Sequence, residues 1–389
     1  GRDPPARGER LGGRMRLSRS SRDRRVLVTG AGGLLGGELA GVLAGRGWEV
    51  TAMVHRRSAV VRNDGSAVPV TSVLVGDLTR DRLGWDPETW REVTRRHGLV
   101  LHCAAQTGFT ATPALTWAVN VDGTRRVLEL ASAAGAGILH VSTAFVNGSR
   151  PGIVRETDEP DGGYANAYEA SKAEAEALVR GSAVPHVIAR PGIVVGDWAE
   201  GRIRHFDTFY QVLKALGEGW VQTVPARAGA TLHLVPIDHV AEGIADLLDR
   251  FAAASGRTFH LVAGAPTPVT AFPLMLSRYP GMAVPSLVAP DAFALATTAQ
   301  ARLFDRVMAP YAPYFSRSPE FDDSGFRAMT GRACPAPGPE WWGRLIEFAL
   351  ASGFLRPSDN AGPRRLSYAA GNGAAPAARP THPAPGETA

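Results

Sequence analysis

Short apolar runs alternate with longer helix-like stretches from Arg25 onward. The apolar runs predict strands, and the stretches between them predict helices at Leu34–Arg46, at Asn120–Ala134 and up to about Gly181. The predicted strands are Val26–Thr29, Trp48–Val54, Val73–Val75, Leu99–His102, Ile138–Ser142 and Val187–Arg190. Because these strands are apolar throughout, we expect helices to cover both faces of the sheet. The pattern therefore predicts a doubly wound α/β domain with a parallel sheet.

The alternation loosens beyond Gly196. Helices are predicted near His205–Gly217 and Asp238–Ala253, an extended segment at Thr231–Pro236, and a strand at 258–262 that could return to the main sheet. Residues 265–354 are predicted to be mostly helical. We divide the chain into a disordered Arg-rich tail at 1–24, a Rossmann domain at 25–200, a smaller, mostly helical, substrate-binding portion at 201–355 and a disordered tail at 356–389.

Composition and charge narrow the classes of function. The net charge of +5 comes from the Arg-rich ends, so the body between them is slightly acidic and we expect no nucleic-acid partner. Cys103 and Cys334 are far apart and lack metal-ligand spacing, which favours a reducing, cytoplasmic setting without disulfides or zinc. Neither a secretory signal nor a transmembrane segment is expected, and Met15 could be the start of translation.

Glycines at positions 30, 33 and 36 directly follow the first predicted strand and open a helix. Gly30 would allow the tight turn, Gly33 the approach of backbone to a diphosphate, and Gly36 close packing of helix on strand. The helix N-terminus would then face the negative charge. In this strand-turn-helix context the glycines predict a dinucleotide site.

The second predicted strand selects the dinucleotide. It ends in His55, Arg56 and Arg57, where an NAD site usually has an acidic residue for the ribose 2′-hydroxyl. Guanidinium groups suit a 2′-phosphate, so NADP(H) is predicted over NAD(H), unless Arg56 and Arg57 are only solvated loop charges. Asp77 and Leu78 follow the third strand and could bracket the adenine, although an Asp there is also a common turn residue.

Lys172 stands four residues after Tyr168 in a chain that has forty arginines and only one other lysine, Lys214. Four residues is about one helical turn, so the two side chains share a face. We expect the ammonium to lower the pKa of the Tyr168 phenol, because a neighbouring positive charge favours the phenolate. Tyr168 is therefore a candidate proton donor.

With these parts in order, residues 25–265 resemble the extended short-chain dehydrogenase/reductases. The resemblance rests on motifs in the family's order: Thr29-Gly30-x-x-Gly33-x-x-Gly36, His102-Cys103-Ala104-Ala105, Asn120-Val121-x-Gly123-Thr124, Ser142-Thr143, Tyr168-x-x-Ser171-Lys172 and Arg190-Pro191. It implies that Thr143 binds the substrate carbonyl, that Tyr168 donates the proton and that Lys172 holds the nicotinamide ribose. The implied cofactor-binding set is Gly30, Gly33, Leu34, Leu35, Gly36, Arg56, Arg57, Asp77, Leu78, Ala104, Ala105, Asn120, Lys172, Pro191 and Ile193.

Within that family, the stretches 140–148, 190–197 and 235–241 look most like the fatty-acyl-reductase and thioester-reductase (male-sterility-like) branch. The resemblance implies NADPH-dependent reduction of an acyl thioester to an aldehyde, sometimes on to an alcohol. No adenylation or carrier domain is visible, so the thioester would come from coenzyme A or an acyl-carrier protein in trans. The family also implies that a homodimer could form beside the active-site tyrosine.

Three other functions remain open. A ketone or aldehyde reductase would share every catalytic residue. A nucleotide-sugar epimerase or dehydratase is disfavoured by Ala144-Phe145, where dehydratases carry Asp-Glu, and by the arginines after the second strand. A non-enzymatic NADP-sensing protein would be expected to lack Tyr168 or Lys172. The aromatic residues Tyr311, Tyr314, Phe315, Trp341 and Trp342 are predicted to belong mainly to the core.

Overall fold

In the computed structural model, residues 24–56, 59–294 and 307–357 are described. The main sheet has seven parallel strands: β1 (Arg25–Thr29), β2 (Glu49–Val54), β3 (Ser72–Val75), β4 (Leu99–His102), β5 (Gly137–Val141), β6 (His186–Pro191) and β7 (Arg257–Leu261). Apart from Arg24, Arg356 and Pro357, the predicted disordered tails lie outside the described residues.

The strand order is β7-β6-β5-β4-β1-β2-β3. The chain adds β2 and β3 on one side of β1 and then crosses to add β4 to β7 on the other side, so the order of the strands reverses between β1 and β4. Ligands of open parallel sheets bind at such a reversal, beyond the carboxyl ends of the strands. The predicted doubly wound Rossmann fold is confirmed. The strand predicted at 258–262 lies in this sheet, where Arg257–Leu261 pairs with His186–Pro191.

Helices flank the sheet and build the rest of the chain. They are α1 (Leu34–Gly45), α2 (Pro87–Arg96), α3 (Pro113–Trp117), α4 (Gly123–Ala134), α5 (Ala167–Gly181), α6 (Phe209–Gly217), α7 (Ile237–Asp249), α8 (Phe251–Ala254), α9 (Ala271–Leu276), α10 (Pro290–Ala294), α11 (Ser324–Thr330) and α12 (Pro339–Ala351). Short 3₁₀ segments occur at Asp81–Gly84, Ala144–Asn147 and Ala312–Ser316.

The structure differs locally from the sequence-based prediction. The first residues of the helix predicted from Asn120 belong to a π-helical turn at Ala118–Asp122, and the α-helix begins at Gly123. The helix predicted from His205 begins only at Phe209. Paired short strands accompany the helices of the C-terminal half: Thr223–Pro225 with Ser286–Val288, Thr231–Leu232 with Thr267–Pro268, Leu234–Pro236 with Ile193–Val195, and Glu320–Phe321 with Ile153–Val154.

Two kinds of core hold the molecule together. The faces of the main sheet are covered by apolar layers, in one of which α7 packs on α1. A separate core lies in the C-terminal half and is built around Phe209, Leu213, Phe272, Trp341 and Leu345. The cavity described next lies where this second core meets the carboxyl ends of the sheet strands.

Candidate active site

A cavity of about 990 Å³ lies at the carboxyl ends of the central strands. Most residues predicted from the sequence to bind cofactor or act in catalysis line it: Gly30, Gly33, Leu34, Leu35, Gly36, Arg56, Asp77, Leu78, Ala104, Ala105, Thr143, Tyr168, Lys172, Pro191 and Ile193. Asn120 does not line it, and Arg57 lies outside the described residues. The structure therefore brings the predicted cofactor-binding residues and the predicted catalytic residues to one cavity.

The glycine-rich loop has the shape that a dinucleotide needs. Gly30 has a φ of +74°, and a Cβ there would lie 2.7 Å from the backbone of Ala104. A Cβ on Gly36 would lie 2.1 Å from the Gly30 carbonyl oxygen. Helix α1 starts at Leu34, and Gly33 before it provides no side-chain cap. The N–H groups of the first turn thus lie at the cavity without a capping side chain, which fits a diphosphate.

At the far end of the cavity, Arg56 follows β2 and is exposed. The Oδ1 atom of Asp77 accepts hydrogen bonds from the backbone N–H and the hydroxyl of Thr79, at 2.8 and 2.7 Å. Burial alone would raise the pKa of Asp77, but these bonds and the nearby His55 and Arg80 lower it. Asp77 is therefore a carboxylate held within a turn, with Leu78 beside it at the cavity wall.

Helix α5 positions Tyr168 and Lys172. Asn166 caps it by accepting a 3.0 Å hydrogen bond from the Glu169 N–H, which places Tyr168 in the first turn and Lys172 one turn later. Burial raises the pKa of Tyr168 well above its usual value, and a hydrogen bond with Thr143 only partly opposes this rise. The prediction that Lys172 lowers the pKa of Tyr168 is therefore wrong. The phenol stays protonated at neutral pH, as a proton donor must be.

Acceptors of strand β5 lie beside the ammonium group of Lys172. Its Nζ atom donates a 2.7 Å hydrogen bond to the Val141 carbonyl and lies 3.1 Å from Nε2 of His140. The side chain is almost fully buried, and burial lowers the pKa of Lys172 to about 8. Burial also raises the pKa of the neighbouring Cys103 thiol to about 12, which disfavours the nucleophilic thiolate at neutral pH.

Asn120 has a structural position behind the cavity wall. Its Oδ1 atom accepts a 2.7 Å hydrogen bond from the Gln106 N–H, and its Nδ2 donates to the Gln106 carbonyl and to the Ser171 hydroxyl at 3.0 and 2.9 Å. These bonds fasten the loop after β4 to helix α5. The resemblance implies a cofactor or water contact for Asn120, with helix packing as the alternative; these bonds agree with the packing role, and the cofactor contact stays a prediction. The π-helical turn that carries Asn120 shows no distinct pattern in the sequence.

Aromatic side chains form the wall opposite the glycine-rich loop. Phe109 stacks on Tyr314 with ring centroids 5.7 Å apart, and its ring lies 6.0 Å from that of Tyr168 and 5.6 Å from that of Tyr311. Further lining residues of this wall are Phe145, Phe209, Val212, Leu232, Phe272 and Phe315.

The sequence identified this wall only in part. Tyr311, Tyr314 and Phe315 belong to the second core, as predicted, and they also line the cavity, whereas Trp341 and Trp342 belong to the second core and are not among the lining residues. Phe109 lies in a loop outside every motif, so no sequence signal marked it.

Other site chemistries find no support among residues 24–56, 59–294 and 307–357. That part of the chain contains no cluster of side chains arranged to hold a metal ion, and both cysteines are free thiols. None of its helices has the length and apolar character needed to cross a membrane.

Comparison with known proteins identifies the family. The sequence profile of the NAD-binding family described as "Male sterility protein" matches residues 28–244, more than half of the chain. The chain belongs to this family. The prediction of an NAD(P)-dependent enzyme of the extended short-chain dehydrogenase/reductase type is thereby confirmed.

Individual relatives agree with this family. The chain is 30% identical over 254 residues to an isonitrile lipopeptide synthase of Streptomyces coeruleorubidus, covering 57% of this chain but only 16% of that protein. It is 26% identical over 207 residues to the fatty acyl-CoA reductase wat of Drosophila melanogaster, covering 43% of this chain and 39% of that protein. The chain thus spans only a minor part of these relatives. The terminal R domain from the myxalamid PKS-NRPS biosynthetic pathway has the same fold, with a TM-score of 0.74, 23% identity and coverage of 86% of this chain and 93% of that one.

Proposed function

We propose that this protein is an NADPH-dependent reductase that reduces an acyl thioester, or the aldehyde derived from it, with Tyr168 as the general acid. The observation that carries the proposal is the distribution of charge around the cavity. Of the described lining residues, those with acidic or basic groups are His55, Arg56, Asp77 and Lys172, and they lie on the proposed cofactor side. The described lining residues beyond Tyr168 are uncharged and mostly aromatic or aliphatic. Such a wall suits an acyl chain, and its described residues offer no cation to the diphosphate of a nucleotide sugar.

NADPH is proposed over NADH because of Arg56. It follows β2 at the cavity edge, where NAD sites usually place a carboxylate for the ribose hydroxyl. A guanidinium there can donate charge-assisted hydrogen bonds to a 2′-phosphate. Arg57 is proposed to assist from the same loop.

The proposed chemistry divides between the cofactor and this chain's residues. When bound, the dihydronicotinamide supplies the hydride. Thr143 donates a hydrogen bond to the substrate carbonyl oxygen, and Tyr168 gives that oxygen its proton as negative charge develops there. Lys172 binds the nicotinamide ribose. Small residues at Ala104 and Ala105 let the cofactor lie against the backbone after β4.

Reduction of a thioester to an aldehyde is proposed to take two steps. Hydride and the Tyr168 proton convert the carbonyl into a hemithioacetal. Its carbon–sulfur bond breaks, the thiol leaves with the hydroxyl proton relayed through Tyr168, and an aldehyde remains. The relatives named for lipopeptide synthesis and for fatty acyl-CoA reduction support coenzyme A or a carrier protein as the source of the thiol. A ketone or free-aldehyde substrate would use the same residues.

The proposal is tested by NADPH oxidation measured at 340 nm with acyl-coenzyme A thioesters of several chain lengths, free aldehydes, ketones and nucleotide sugars. We expect turnover with thioesters and loss of about 10²-fold or more in Tyr168→Phe, the usual contribution of a general acid. Tyr164→Phe, outside the cavity lining, is the matched control. Turnover of ketones or nucleotide sugars without thioesters would overturn the substrate assignment, and an unimpaired Tyr168→Phe would overturn the role of Tyr168.

A further inference from the structure

Two buried histidines lie side by side beneath Lys172. His102 on β4 and His140 on β5 are direct neighbours in the sheet register, with ring centroids 5.3 Å apart. Both are almost fully buried. The mechanism proposed above assigns neither of them a role.

Both nitrogens of His102 are engaged by threonine hydroxyls. Nδ1 lies 2.8 Å from Oγ1 of Thr29, and Nε2 lies 3.0 Å from Oγ1 of Thr124. Thr124 donates its own proton to the Asn120 carbonyl at 2.6 Å, so it can only accept from His102. His102 is therefore the neutral Nε2–H tautomer, and its bonds support the glycine-rich loop through Thr29.

His140 is bonded on one side only. Its Nε2 atom lies 3.1 Å from the Lys172 ammonium nitrogen, whereas its buried Nδ1 atom has no hydrogen-bond partner in the described part of the chain. A proton on Nε2 would face the N–H groups of the ammonium, so the proton must sit on Nδ1. A buried N–H without a partner costs free energy, which points to a function for the acceptor on the other side.

We propose that His140 is a positioning residue for Lys172: its Nε2 lone pair accepts a hydrogen bond from the ammonium and holds it in its charged form. The Val141 carbonyl takes a second N–H of Lys172, which leaves the third for the cavity. This inference rests on the proposed function, in which that third N–H serves the nicotinamide ribose.

The charged groups around Lys172 and His140 determine in which direction the pKa of Lys172 should change when His140 is replaced. Burial lowers the pKa of Lys172, while Glu176 and Cys103 raise it. Around His140, burial lowers the pKa well below its usual value, and Lys172, His102 and Arg180 lower it further, so its ring stays neutral. Tyr168, which also lines the cavity, stays protonated. Removing the acceptor on His140 should therefore lower the pKa of Lys172 further, and the alkaline limb of the pH–rate profile should move to lower pH.

Because the chain has only two lysines, the pKa of Lys172 can be measured directly. Protein labelled with ¹³Cε-lysine gives two signals, from Lys172 and Lys214, and Lys214 is an internal reference. The amide oxygen of His140→Gln can reach the place of Nε2, whereas the polar atoms of His140→Asn reach only the place of Nδ1. We expect Lys172 to titrate near wild type in His140→Gln, and about one pH unit or more lower in His140→Asn and His140→Leu. An unchanged Lys172 midpoint in His140→Asn would overturn the inference.

A measurement on the wild-type protein covers the case in which a variant does not fold. In ¹⁵N-histidine spectra of the wild type, with His140 assigned by correlation to its own backbone signals, we expect a protonated Nδ1 and an unprotonated Nε2. The opposite tautomer contradicts the inference. Activity separates the two proposals: a wild type without thioester turnover rejects the proposed function but leaves the lysine titration as it stands. An active enzyme whose alkaline limb is the same in His140→Asn rejects the role of His140.

Discussion

The hydroxyl of Tyr314 donates a 2.6 Å hydrogen bond to Oε1 of Glu169, the residue that follows Tyr168 on α5. Glu169 is fully buried, and Nη1 of Arg317 lies 3.2 Å from both of its carboxylate oxygens. The C-terminal half of the chain is thereby fastened to the first turn of the helix that carries Tyr168. Since the Tyr314 ring also stacks on Phe109, one residue links the aromatic wall to that turn.

Tyr314→Phe removes the hydrogen bond to Glu169 but keeps the ring that stacks on Phe109. The variant therefore tests the link to α5 without changing the shape of the aromatic wall. Leaving the buried Glu169 carboxylate with one partner fewer should cost about 1–3 kcal/mol of unfolding free energy. We expect a raised KM and a lowered kcat as the wall loosens, measured by urea unfolding and steady-state kinetics. Tyr279→Phe is the control, since its hydroxyl bonds Gly343 and Glu347 outside the cavity. Equal kinetics in both variants would contradict the proposed link.

The two lysines offer a matched pair for the second prediction. Lys172→Arg keeps a positive charge but must fit a larger, planar group into the buried space between His140 and the Val141 carbonyl. We expect kcat to fall by about 10²-fold or more, the scale of losing a properly oriented catalytic group. Lys214→Arg, on partly exposed α6 beside Glu218, should retain wild-type kinetics. Comparable kcat values in the two variants would show that position 172 needs only a cation.

The glycine-rich loop gives a third prediction with a control on the same helix. In Gly36→Ala the new Cβ would lie 2.1 Å from the Gly30 carbonyl oxygen, so the loop must shift. We expect NADPH binding, followed by nicotinamide fluorescence, to weaken by about tenfold or more, because a loop displacement removes backbone contacts to a charged group. Gly45→Ala, with no atom within 4 Å of its Cβ, should keep wild-type affinity and gain about 0.5–1 kcal/mol of stability. Retained affinity in Gly36→Ala would exclude the tight packing as a requirement for binding.

The sequence predicted those parts of the site whose chemistry is local in the chain. The glycine loop at Gly30 and the Tyr168–Lys172 spacing follow from one turn and one helix, and the sheet follows from apolar runs. The bonding of the Lys172 ammonium could not be predicted, because it depends on His140, a residue of strand β5. The place of Phe109 in the aromatic wall could not be predicted either, since Phe109 and Tyr314 meet across more than 200 positions only after folding.

Arg56 provides the fourth prediction, on cofactor choice. Arg56→Asp should weaken NADPH binding and improve NADH binding, because the carboxylate repels a 2′-phosphate and accepts from a 2′-hydroxyl. One charge-assisted hydrogen bond is worth ~1.5–3 kcal/mol, so we expect the NADPH/NADH ratio of kcat/KM to fall by about tenfold or more. Arg95→Asp, at an exposed arginine of α2 outside the cavity lining, controls for net charge. An unchanged ratio in Arg56→Asp would show that Arg56 does not read the 2′ position.

The buried pair of Arg190 and Glu176 gives a prediction on stability and its pH dependence. Nη2 and Nε of Arg190 donate to the Glu176 carboxylate at 2.7 and 2.9 Å, and both side chains are buried. Burial alone would raise the pKa of Glu176, but Arg190 and Arg180 hold it below its usual value. Because the folded-state pKa is depressed, the pair stabilises the fold above the unfolded-state pKa, and that stability is lost as pH falls through the folded-state value.

Arg190→Met removes one partner and leaves the buried Glu176 carboxylate with Arg180 as its only guanidinium partner among the described residues, so we expect a loss of about 3 kcal/mol at pH 7 in urea unfolding. The pKa of Glu176 then rises, and the stability gap to wild type should narrow as pH falls toward the unfolded-state value near ~4.3. Arg125→Ala, which breaks an exposed pair with Asp122, should cost under about 1 kcal/mol both at pH 7 and near pH ~4.3. Replacing both partners, as Arg190→Met with Glu176→Leu, should recover much of the loss, because no uncompensated charge stays buried. A gap that stays constant with pH would place the cost in lost packing around Arg190 and not in the Glu176 charge.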